Sequence, residues 1–199
     1  MRTLGPELGR RIGLAQAELR TLSRVWSHAS ISKTRKLEIF NACVMTKLTY
    51  SLHVAWLTVP EGRRLDAFQA RALRRILGIR HSYYSRVSNA DVLKQAGCQK
   101  ASSILLVRQM YFIGELATRE DTDALKRCVF QPGSFLPRTC HGLRKRGRPK
   151  DSWTRKIHSE ALQAAGSMNS LTALWQDTPA AKSAWRATCA RHVVSHTNV

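Results

Sequence analysis

The sequence predicts an all-α protein: a thumb-like helical bundle, then a basic linker, then a small C-terminal helical segment. Three observations carry this. Apolar residues recur at helical spacing through most of the chain. No stretch shows the period-two alternation of a half-buried strand. Gly, Pro and Ser fall where helix ends need them. The expected division is residues 1–129 for the helical domain, 130–150 for the linker arm and 151–199 for the C-terminal segment.

The first helix is expected over residues 7–27, with Leu8, Ile12, Ala15, Leu19, Leu22 and Trp26 on one stripe. Ser32 suits an N-cap for a second helix over 33–56, whose stripe is Leu37, Phe40, Val44, Leu48 and Leu52. A third helix, 61–79, reads EGRRLDAFQARALRRILGI. Leu65, Phe68, Ala72, Ile76 and Leu77 give it a face to bury, and Arg63, Arg64, Arg71, Arg74 and Arg75 fill much of the remaining circumference. Pro60 suits its first turn and Gly78 its C-terminal exit.

A polar loop with Tyr83 and Tyr84 is expected over 81–88. Ser88 and Asp91 then form a capping-box pattern for a short helix, 89–96, ended by Gly97. The most apolar helix, 101–117, should lie at the centre of the core, and 122–129 adds a short one. The acids Glu120, Asp121 and Asp123 read best as its N-terminal turn. Composition shifts at 130–150, which is rich in Pro, Gly, Arg and Lys and holds no acid. Helices follow at 151–165, 171–176 and 179–194, presenting Trp153, Trp175 and Trp185 as core anchors. The last residues, 195–199, look frayed.

Composition points to a polyanionic partner. With 33 Lys and Arg against 13 Asp and Glu, the formal net charge is +20. Hydrophobic content of 43% is too high for a disordered basic tail. No apolar run approaches the roughly 18 residues of a membrane span. The N-terminus lacks a signal-peptide pattern, and five scattered cysteines suit reduced thiols. The expected compartment is therefore intracellular, nuclear or cytoplasmic.

Two basic constellations are candidates for phosphate contact. One is the arginine-rich helix, where Arg71, Arg74 and Arg75 are close enough to track one backbone. The other is the arm Arg144, Lys145, Arg146, Arg148 and Lys150. Its Arg-Gly-Arg-Pro core resembles an AT-hook, in which an extended backbone enters a narrow minor groove. A solvated helix face with snorkelling stems and a passive basic linker are the plain alternatives. Cys128, Cys140 and His141 lack the close ligand pairs of structural zinc, so no metal is expected. No Gly-rich phosphate loop, nucleophile motif or paired carboxylates for two-metal chemistry is visible, so neither cofactor, small-molecule substrate nor catalysis is expected.

The order of the pieces resembles the region after the palm in non-LTR (LINE-like) retrotransposon reverse transcriptases. The similar stretches are Arg11-Ile12, residues 15–26, Lys36-Leu37-Glu38-Ile39-Phe40, Leu48-Thr49-Tyr50, Trp56 and Arg64-Leu65-Asp66-Ala67-Phe68. They continue with residues 72–79, Val92-Leu93 to Gly97, Phe112-Ile113-Gly114, Arg119 with Asp121, and Gly147-Arg148-Pro149-Lys150 followed by Trp153. Residues 72–79, ALRRILGI, are the most similar piece. The match spans about residues 10–165. The family often has His after Gly114, whereas this chain has Glu115.

The resemblance implies a helical thumb and connection that grips a template–primer duplex, RNA–DNA or DNA. The palm with its aspartates would precede Met1, so gripping without polymerisation is expected, beside a separate palm if one takes part. Two rivals are an AT-hook-like DNA-binding module and a retroelement relic with no selected function, whose first two helices would expose apolar surface.

Overall fold

The computed structural model describes residues 5–28, 30–138 and 152–197. They are predominantly helical, and among them there is no β-strand beyond one isolated bridge, Phe130 to Pro137. The chain divides into two compact units, residues 1–105 and 106–199.

In the first unit, α1 (Gly5–His28) buries Leu8, Ala15 and Leu19, three members of its predicted stripe. The second helix departs from expectation. Instead of one helix over 33–56, the chain forms α2 (Lys33–Ile39), a π-helical segment (Phe40–Met45) and α3 (Thr46–Thr49). Its buried residues Phe40, Val44 and Leu48 are spaced by four. In an α-helix each such step overshoots a full turn by about 40°. A wider i→i+5 turn takes back part of that drift and keeps the three side chains towards one core. The helix then stops early, because Ser51 adopts a left-handed conformation with φ 62° before a single 3₁₀ turn, Leu52–Val54. Neither Gly nor Pro marks this stop in the sequence.

The arginine-rich helix α4 (Val59–Leu77) has both predicted ends. Thr58 and Glu61 form a capping box around Pro60, and Gly78 leaves the helix at φ 76°, a conformation that favours glycine. Leu65, Phe68, Ala72, Leu73 and Ile76 are buried with the α1 and α2–α3 stripes. The predicted loop contains one helical turn, α5 (Ser82–Ser85). Then α6 (Asn89–Ala96) has the expected Ser88–Asp91 capping box and left-handed Gly97 exit. The Ser88 hydroxyl, donating to Asp91, holds that carboxyl below the usual range.

Helix α7 (Ala101–Ala117) has the predicted bounds, and the division into units falls inside it, not at the basic arm. The physical reason is that residues 106–138 share a core with the C-terminal tryptophans. Met110, Ile113 and Leu116 of α7, Val129 of α8 (Ala124–Val129) and Phe130 are buried in the second unit. Asp123 caps α8 by accepting from the amides of Leu125 and Lys126. Residues 130–138 are therefore not part of a linker. The Arg138 amide returns to the Val129 carbonyl at 2.8 Å, and Phe130 and Phe135 both pack on Trp175 at 5.6 Å between ring centroids.

The second unit continues with α9 (Trp153–Ala165), α10 (Met168–Leu174) and α11 (Pro179–Thr197). Trp153, Trp175 and Trp185 are buried, as expected of core anchors. Trp175 also meets Trp185 edge-on at 5.7 Å and His158 at 6.0 Å. Helix α11 extends through Thr197, past the point where fraying was expected.

Candidate nucleic-acid interface

Helix α4 sorts its polar side chains into two sets. One set builds the fold. Glu61 closes the N-terminal box. Asp66 accepts from the Ser102 amide at 2.8 Å and the Ser102 hydroxyl at 2.7 Å. Gln69 donates to the Gln99 carbonyl and accepts from the Ala101 amide at 2.7 Å. Asp66 and Gln69 together satisfy N–H groups that the first turn of α7 would otherwise leave unpaired.

Arg74 belongs to this structural set, which corrects its assignment to phosphate. It is only 6% exposed. Its guanidinium donates to the carbonyls of Arg80 at 3.2 Å and Val87 at 2.7 Å, to Ser85 Oγ at 3.4 Å and to Asn89 Oδ1 at 3.0 Å. A planar fork with five donors can pin both arms of a loop at once, and here it holds the segment from α4 to α6.

The second set is Arg63, Arg64, Arg71 and Arg75. All four are exposed. None has a hydrogen bond or ion pair among the described residues, whereas Arg10 and Arg11 share Glu7, Arg35 meets Glu38 and Arg119 meets Asp123. At 100° per residue, Arg64, Arg71 and Arg75 lie within about 40° of one another around the axis, at steps of about 10 Å and 6 Å along it. Arg63 stands about a quarter turn away. The expected trio of Arg71, Arg74 and Arg75 is thus replaced by a row of Arg64, Arg71 and Arg75.

The positive field extends past the helix. Residues 67–90 contain five arginines and no acid. Within them Arg80 and Arg86 are exposed, and neither was singled out by sequence reasoning. Tyr83 and Tyr84 are exposed as well, at 69% each. The acid-free run was the available signal for these four residues.

The other basic candidates, Arg144, Lys145, Arg146, Arg148 and Lys150, lie outside the described residues, as do Cys140 and His141. Among the described residues no group of three His, Cys, Asp or Glu side chains could hold a metal ion. No described helix is long and apolar enough to cross a membrane. No family model, curated protein or solved structure matches the chain.

Proposed function

We propose that the chain grips the sugar-phosphate backbone of a nucleic acid through α4, as a thumb-like, non-catalytic part of a non-LTR retrotransposon reverse transcriptase. One observation carries the reading. Every polar side chain of α4 is engaged within the protein except four exposed arginines, three of them in a row. Exposed cations with no carboxylate partner lose little on meeting phosphate, because no intramolecular pair must be broken first. A helix already formed also spends no backbone ordering entropy on presenting them. The ordered resemblance to the family's post-palm region supplies the duplex, RNA–DNA or DNA, as the backbone gripped. No catalytic step is assigned to this chain.

Contacts of this kind position a duplex without reading its sequence. Affinity should therefore fall steeply with salt and vary little among sequences. Replacing Arg64, Arg71 and Arg75 together by Ala should reduce the slope of log affinity against log salt by about one per phosphate contact removed. Circular dichroism would establish that the variant keeps its helix content. A folded variant with the wild-type slope would remove α4 from the interface.

A further inference from the structure

We propose that Tyr83 and Tyr84 form a stacking platform for unpaired nucleobases, so that the interface takes a single-stranded segment beside its arginine row. The inference rests on the backbone-gripping reading and adds the kind of strand that is held.

Two neighbouring aromatic rings, each 69% exposed, are an uncommon use of residues that normally bury their faces. They do not cover each other. Their centroids are 5.2 Å apart and their planes are 88° apart, so the pair uses one ring face at most. The Arg86 guanidinium lies over the Tyr83 ring at 5.7 Å, so one face of that ring already carries a cation.

The platform is also built rather than loose. Tyr83 and Tyr84 sit in the single turn of α5, whose N-cap His81 accepts from the Tyr83 amide. Its C-cap Arg86 is held at φ 56°, a left-handed conformation uncommon for a residue other than glycine. Such strain persists only where neighbouring structure enforces it. The Arg86 amide donates to the Ser82 carbonyl, and the Arg74 guanidinium reaches Ser85 Oγ and the Val87 carbonyl, on either side of Arg86. A buried side chain of α4 thus joins the turn's own hydrogen bonds in holding the segment that displays the tyrosines. Aromatic faces within a cationic, acid-free segment are the recurring chemistry of single-strand binding, since every base offers a π-face to stack.

The test uses the full chain and two fluorescent probes, a thymidine homopolymer of about twelve nucleotides and a blunt duplex of the same length. Replacing both tyrosines by Ala should weaken single-strand binding by about tenfold or more. Blunt-duplex binding should change by less than about twofold, with its salt slope intact. Replacing both by Phe should restore single-strand affinity, because Phe keeps the ring. Equal affinity of the Ala pair and the wild type for the single strand overturns the platform, and so does an equal loss on both probes. The Arg64, Arg71 and Arg75 triple variant separates the two readings. If it weakens both probes while the Ala pair weakens neither, only stacking is lost. If it too leaves both unchanged, the backbone grip itself falls.

Discussion

Single residues decide several features that their type alone would not reveal. Gly114 is the sharpest case. A Cβ built there would lie 2.3 Å from Trp185 Nε1 and 2.7 Å from its Cδ1. The indole cannot retreat easily, because its N–H donates to the Met110 carbonyl at 3.1 Å. Ala is the better helix former by about 1 kcal/mol, yet overpacking a rigid ring costs typically 1–3 kcal/mol. Gly114→Ala should therefore destabilise the protein in urea unfolding, despite its gain in propensity. An unchanged or raised midpoint would show that the helix and ring can separate at little cost. The sequence hid this relation, since Gly within an apolar helix reads only as a weak position. It hid the role of Arg74 for a similar reason. On a helical wheel Arg74 is one more cation beside Arg71 and Arg75, and only the return of the loop over residues 80–89 shows that its side chain is covered.

At the scale of elements, much was legible. Ser88 and Asp91, Gly78, Gly97 and the bounds of α7 all follow from rules that act within a few residues. The π-helical segment and the early stop at Ser51 were not legible, because both answer to packing against other helices. Nor was the service that α4 performs for α7. Asp66 contacts Ser102 across 36 positions of sequence, and nothing local forecasts it. Loss of a helix-capping side chain costs about 1 kcal/mol. Asp66→Ala should lower stability by that order, and Asp66→Asn should recover part of it by keeping one acceptor. If the two variants were equally stable, the capping role would be refuted. Hydrogen exchange at the amides of Ala101 and Ser102 would localise the effect to the start of α7.

For the whole molecule, composition and helical period gave the all-α class. The division of the chain was misplaced. Pro, Gly and basic residues mark an arm after Phe130, but aromatic packing binds residues 130–138 to the second unit. That unit also carries an acid-sensitive group. Burial holds His158 below its usual pKa of 6.5, against a backbone hydrogen bond with Phe135 that pulls upward. The unfolded chain therefore takes up a proton at this ring before the folded chain does. Its contribution is complete above about pH 6.5 and is lost as pH falls through the depressed folded value. Thermal unfolding should show a lower midpoint at about pH 5 than at pH 7, with a smaller difference in His158→Gln. Comparing the two proteins separates this ring from the nearby His192–Glu160 pair. Identical pH profiles would rule the ring out.

Arg74 has a consequence for what remains at high ionic strength. Its partners are two carbonyls, one hydroxyl and one amide oxygen, and no carboxylate is among them. It is a full positive charge placed beneath the loop, where mobile ions cannot crowd around it. Contacts of exposed arginines are shielded once added salt shortens the Debye length to a few ångströms, but buried contacts such as those of Arg74 with the loop are shielded much less. The loop is thus fastened to α4 by contacts that added salt does not loosen. Amide exchange over residues 80–89 should then stay as slow near 1 M salt as at low salt.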